Sequence, residues 1–129
     1  MNKVKSLYWR YRFHKLSILL GFDINPNVCG KGLAIFHFGC VVIHKKAKIG
    51  DNCTIQQCVN IGRNHEEDDV PVIGNNVYIG PGAKLFGRIE IADGCAIGAG
   101  AVVTKSFTTP NMNIVGNPAH ENGVRREGL

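Results

Sequence analysis

From Ile43 onward an aliphatic side chain returns every six residues: Ile43, Ile49, Ile55, Ile61, then Ile73, Ile79, Leu85, Ile91, Ile97 and Val103. Four places after most of these comes a second, small or apolar residue: Ala47, Cys53, Val59, Val77, Ala83, Ile89, Cys95, Ala101 and Phe107. An α-helix repeats near every 3.6 residues and a half-buried strand every 2. A period of six accommodates one short strand and one turn, so that each strand sends a single side chain into a narrow core and the next coil stacks on it. Glycine often follows the first position, as at Gly50, Gly62, Gly74, Gly80 and Gly98. The repeat therefore restricts the chain to an all-β solenoid of short parallel strands.

Composition agrees with tight turns around a thin core. There are 16 glycines among 129 residues, against a usual share of about 7%. A chain of this length forms one domain and needs no metal or disulfide to complete its core. The cysteines (Cys29, Cys40, Cys53, Cys58 and Cys95) are odd in number and form no CxxC pair. That fits a reducing cytoplasm and argues against a disulfide framework or zinc ribbon. Lys3, Lys5, Arg10, Arg12 and Lys15 all precede the first acid, Asp23, and the remaining ten basic residues balance ten acids. The body is thus neutral, which excludes a nucleic-acid-binding face. No apolar run is long enough to span a bilayer, and no signal-peptide pattern is present.

Three regions follow: an N-terminal basic and aromatic segment over 1–22, the repeat domain over 23–109, and a capping tail over 110–129. Residues 3–20 carry helical spacing, with Trp9, Phe13, Leu16 and Leu20 on one face and Leu7, Tyr11 and Ile18 on the other. Such a helix is expected to touch two surfaces, the coil and a neighbouring subunit. A membrane surface is the alternative for the second contact, which would make the protein peripheral. The segment 62–72 breaks one hexad and is expected to project as a loop carrying His65 and the run Glu66-Glu67-Asp68-Asp69.

One residue stands out chemically. Counting back six from Ile43 reaches His37, placing an imidazole where the repeat calls for an aliphatic. Its surroundings, Gly32-Leu33-Ala34-Ile35-Phe36-His37-Phe38-Gly39-Cys40-Val41-Val42-Ile43, resemble the active-site coil of serine acetyltransferases and their polysaccharide O-acetyltransferase relatives, which are hexapeptide-repeat acyltransferases. The resemblance runs from about Asp23 to Ala119. It includes Ile79-Gly80-Pro81-Gly82-Ala83-Lys84, the stretch from Ile97 to Lys105, and Val115-Gly116-Asn117-Pro118-Ala119.

The resemblance implies a left-handed parallel β-helix that uses acetyl-CoA as donor and needs no metal. His37 would be the base that takes the acceptor hydroxyl's proton, a role for which an imidazole titrating near 6.5 is suited. Asp23 would orient it, although the spacing between the two is one residue shorter than in typical serine acetyltransferases. Backbone N–H groups at Gly62 or Arg63 would hold the developing oxyanion. Gly80, Gly98, Ala99 and Ala101 would let the pantetheine approach, and Thr104 and Lys105 would lie near the nucleotide end. A homotrimer with sites shared between subunits is implied as well.

For the acceptor, serine acetyltransferases carry an Asp immediately before the histidine and an Arg-His pair before the proline that re-enters the coil. Here these positions are Phe36, and Asp69 with Val70 before Pro71. An acid in place of an arginine repels a substrate carboxylate. The expectation is therefore a sugar hydroxyl of a surface polysaccharide or its precursor, with Phe36 and His65 bordering it. Serine is the alternative acceptor. A zinc enzyme resembling γ-class carbonic anhydrases, with histidine ligands, and a non-catalytic scaffold are more remote alternatives.

Overall fold

Each hexad becomes a strand of two or three residues and a turn. The computed structural model describes residues 2–126. In order these residues form α1 (Lys3–Leu20), β1 (Phe22–Ile24), β2 (Ala34–Ile35), β3 (Val41–Ile43), β4 (Lys48–Ile49), β5 (Thr54–Ile55), β6 (Asn60–Gly62) and β7 (Val72–Ile73). There follow β8 (Tyr78–Ile79), β9 (Lys84–Phe86), β10 (Glu90–Ile91), β11 (Ala96–Ile97), β12 (Val102–Val103), β13 (Met112–Val115) and β14 (His120–Val124).

Three sheets face one another as the sides of a prism: β1-β3-β6-β9-β12, then β4-β7-β10, and β2-β5-β8-β11-β13-β14. These are faces A, B and C. The chain visits C, A and B in turn, all pairings being parallel except β13 with β14. This is the solenoid of short parallel strands expected from the repeat, with the left-handed coil that the family resemblance implies. β13 lies in the segment expected to be a capping tail, yet it pairs parallel with β11 and Ile114 is fully buried, so the coil continues into it.

The repeat residues form the core in register. Ile43, Ile61, Leu85 and Val103 line up inside face A, while Ile55, Ile79, Ile97 and Ile114 do so inside face C. The second-position residues Ala47, Cys53, Val59, Val77, Ala83, Cys95 and Ala101 are buried beside them. At the corners the backbone turns left-handed at Asn27, Asn52, Asn76 and Asn111, the side chain that tolerates this region best after glycine.

α1 is capped at its start by Asn2, whose side chain accepts from Val4 N–H at 3.2 Å, and at its end by Gly21 with φ of 75°. None of its residues is buried, and Leu7, Trp9, Ile18 and Leu19 are all exposed. Its C-terminal end is tied to the body by Gly39 N–H to Leu20 O at 2.9 Å and Val41 N–H to Gly21 O at 3.1 Å. Among the described residues no helix is long and apolar enough to cross a membrane.

Candidate functional site

His37 does not occupy an aliphatic position. Ile35 does, pairing with Ile55 inside face C, and the next residue at the equivalent strand position is Ile43, eight places on rather than six, with buried Val41 where the coil below has Val59. Two additional residues therefore widen the turn from C to A, and the widened turn, Phe36 to Cys40, pushes His37 outward into solvent. Phe36 and Phe38 flank it at 68% and 80% exposure, so two largely exposed rings stand on either side of the imidazole in sequence. The turn rests on α1 through Gly39, whose φ of 141° a side chain would strain.

The same corner descends through Gln56-Gln57-Cys58, Gly80-Pro81-Gly82 and Gly98-Ala99-Gly100. Its glycines serve two purposes. At Gly80 a Cβ would lie 2.8 Å from Ala99 N and Ile97 O, and at Gly98 it would lie 3.0 Å from Val115 Cγ1, so these two permit coil stacking. Gly82 and Gly100 turn the corner with left-handed φ of 71° and 66°, and a Cβ there would meet nothing closer than 4.0 Å at the first and nothing within 4 Å at the second, so their outer surface is open. The edge available to a ligand is thus Gly82, Ala99 and Gly100. Ala101 has no part in it: its side chain is fully buried, its N–H donates to Gly98 O and its carbonyl accepts from Lys84 N–H.

The other expected residues lie across face A, at the corner from A to B. Gly62 ends β6, Arg63 and His65 are exposed on the loop that follows, and Thr104 and Lys105 are exposed after β12. Lys105 Nζ sits 5.4 Å over the Phe107 ring. Asp23 projects from the outside of face A, paired in register with Val42. Among the described residues Asp23 and His37 make no hydrogen bond or ion pair with each other.

Asp23 and Gly62 both border a groove of about 250 Å³ that also takes in Asn25, His44 and Asn60. His44, which the sequence offers only as an exposed repeat position without a role, stands directly after Ile43 where Gly50, Gly62, Gly74, Gly80 and Gly98 stand in other hexads. It is half-buried, and its Nδ1 accepts from Lys46 N–H at 3.2 Å, which leaves Nε2 to carry the proton of the neutral ring.

The loop expected to project is clasped to the body. Glu67 lies 3.3 Å from Lys45 and 3.5 Å from Lys46, Asp68 lies 2.7 Å from Lys46, and Asp69 lies 3.3 Å from Arg88. A hydrogen bond from Lys45 and the charge of Lys46 hold the Glu67 carboxyl below its ordinary range. A hydrogen bond from Lys46 does the same for Asp68, and Asp68 in turn raises the Lys46 ammonium. Val70 and Pro71 are buried where the chain re-enters the coil. Within the chain no three described His, Cys, Asp or Glu side chains converge as metal ligands.

These features define a β-helix with an exposed histidine at one corner, an open glycine edge further along that corner, and a shallow groove across the adjoining face. Comparison with known proteins then places the chain. Residues 71–105 match the family model described as bacterial transferase hexapeptide (six repeats). A serine acetyltransferase of Synechococcus elongatus is 36% identical over 122 residues, covering 90% of this chain and 50% of its own length. One from Staphylococcus aureus is 41% identical over 111 residues, covering 81% and 52%. Among solved structures, the Brucella abortus serine acetyltransferase in complex with coenzyme A superposes with a TM-score of 0.81 at 32% identity, covering 92% of this chain and 48% of that one. The Neisseria gonorrhoeae enzyme in complex with serine gives 0.76 at 35%, covering 83% and 44%. The chain belongs to the hexapeptide-repeat transferase family. It spans about half the length of the curated relatives it matches.

Proposed function

We propose that this chain is an acetyl-CoA-dependent O-acetyltransferase in which His37 is the general base. The observation that carries the reading is the widened turn that lifts His37 out of an otherwise regular lattice, at the corner that continues past Gln56-Gln57-Cys58 into the open edge of Gly82, Ala99 and Gly100. An acceptor hydroxyl gives its proton to the imidazole as its oxygen attacks the thioester carbonyl. The tetrahedral intermediate collapses, the C–S bond breaks, and the imidazolium returns the proton to the departing thiolate.

The oxyanion needs N–H donors about 3 Å away. Gly62 and Arg63 would supply them, but they end the strand whose other end adjoins the histidine corner. A three-residue strand separates those borders by roughly 10 Å. One copy's histidine therefore serves a thioester held against the neighbouring copy's Gly62 border, which requires a ring-shaped assembly, a homotrimer in this reading. Light scattering tests this: a trimer is expected, and a monomer with full turnover would sink the shared site.

Two acceptor readings rest on different observations. Serine is favoured over the sugar expectation by the relatives, whose names are serine acetyltransferase. A sugar hydroxyl is favoured by this chain's own residues: exposed Phe36 replaces the acid beside the histidine, Asp69 is engaged by Arg88, and Val70 is buried. No cation is thereby presented to a substrate carboxylate at the last two positions. The deciding experiment is CoA release from acetyl-CoA with L-serine, followed by chromatography, for wild type and His37→Ala with no-acceptor controls. Serine-dependent turnover lost in the variant establishes the serine enzyme. Acetyl-CoA binding without a serine effect leaves the sugar reading, to be pursued by an acceptor screen.

A further inference from the structure

The cysteines are of two kinds. Cys53 and Cys95 are fully buried and Cys29 is half-buried, and burial pushes all three thiols up, Cys29 to about 11. They remain protonated and inert at neutral pH. Cys40 and Cys58 are exposed, and neither enters the acetyl-transfer reading.

Their positions are related by the fold. A Cβ on Gly39 would lie 3.5 Å from Gln57 Cβ, while Val42 pairs with Asn60 and Ile43 with Ile61. The offset is 18 residues on both sides (39 to 57, 42 to 60, 43 to 61), so Cys40 stands directly over Cys58 on the next coil. One strand spacing, about 4.8 Å, separates such positions. That lies inside the Cα separation of roughly 4.4–6.8 Å that a disulfide bridges.

A second observation singles out Cys58. Its φ is 60°, and every other non-glycine residue with positive φ in the described chain is asparagine. A thiol held in a left-handed corner breaks the local rule followed at four other turns, and such departures mark functional positions.

We propose that Cys40 and Cys58 form a reversible thiol–disulfide pair that pins the turn carrying His37 to the coil beneath it. The oxidant is a small-molecule disulfide such as oxidised glutathione. One cysteine thiolate attacks a glutathione sulfur, forming a mixed disulfide and expelling one glutathione thiolate. The second cysteine thiolate attacks the protein-bound sulfur, closing the bridge and expelling the other. The two cysteine protons pass to the two leaving thiolates, and two electrons pass from protein to glutathione. Cys40 lies three residues from His37, so closing the bridge restrains the widened turn.

The test uses the intact protein in its native assembly and reads chemistry rather than turnover, so it is independent of the proposed activity. The protein is treated with oxidised glutathione, trapped by alkylation and peptide-mapped, and amide hydrogen exchange over residues 36–40 is compared with the reduced form. The expected result is one Cys40–Cys58 linked peptide, loss of two of the five thiols, slower exchange across the turn, and reversal of all three by dithiothreitol. Cys58→Ser should leave Cys40 as a lasting glutathione adduct with exchange unchanged. Two separate adducts, unreacted thiols, a disulfide between copies, or a linked pair with unchanged exchange would each overturn the proposal.

Discussion

At the scale of single residues, exposure and contact separate chemistry from architecture. His37 projects into solvent from a turn, so replacing it removes little packing. His37→Ala is expected to lower acetyl-transfer turnover by roughly 10²–10⁴ while leaving unfolding free energy within about 0.5 kcal/mol of wild type. Chromatographic CoA release and denaturant melts check the two halves separately. Gly80 is the converse: a Cβ there would lie 2.8 Å from backbone atoms of the next coil. Gly80→Ala should cost on the order of 1–3 kcal/mol, read as a lower denaturant midpoint, because neither coil can yield without breaking its stacking. Residue types alone do not tell these glycines from Gly82 and Gly100, since Gly80-Pro81-Gly82 reads the same in either role. His37 stood out for a sound reason with the wrong register, because counting by six cannot detect two residues inserted between Ile35 and Ile43.

At the scale of elements, the strands and α1 were legible because hydrophobic period is a local signal. The loop's posture was not. Residues 62–72 look like a solvated acidic excursion, whereas Lys45, Lys46 and Arg88, distant in sequence, clasp it to the coil. His44 carries no role in the sequence for a related reason: its groove is assembled from β1, β3 and β6, which only the folded register brings side by side. The clasp has a defined pH range. Glu67 and Asp68 are lowered in the folded protein, so their contribution is present above their unfolded values near 4 and is lost as pH falls through the lowered ones. Lys46 is raised, so its contribution is present below its unfolded value near 10.4 and is lost as pH rises through the raised one. The loop should therefore stay closed across neutral pH and open in acid. Amide exchange over residues 63–69, corrected for its intrinsic pH dependence, should show this. Because the pairs are solvent-exposed, about 1 M salt should also open the loop at neutral pH. Unchanged exchange in both acid and salt would assign the loop's position to Val70 and Pro71 instead.

At the scale of the whole molecule, the prism behaves as a one-dimensional stack in which each coil is supported only by its neighbours, so its two ends decide where it frays. The N-terminal end carries α1, which buries none of its residues against the coil, and the assembly proposed from the site's geometry would add neighbours to that surface. The C-terminal end is closed within the chain. β14 runs antiparallel to β13 and brings Arg125 back across the corner, where its Nη1 donates to Asn76 O at 2.8 Å, Gly94 O at 3.1 Å and Cys95 O at 3.4 Å. One guanidinium thus ties the last strand to the coils that begin at β8 and β11. Hydrogen bonds to a charged donor contribute roughly 1.5–3 kcal/mol each at most, and these share one nitrogen. Arg125→Ala is therefore expected to cost about 1–3 kcal/mol and to free β14 and β13 before any inner coil. The measurement is residue-resolved hydrogen exchange on the variant, in which protection should fall at residues 112–124 while the strands around Ile55 and Ile61 keep theirs. A uniform loss along the prism would mean that the stack unfolds as a single cooperative unit and that Arg125 is not a local clamp.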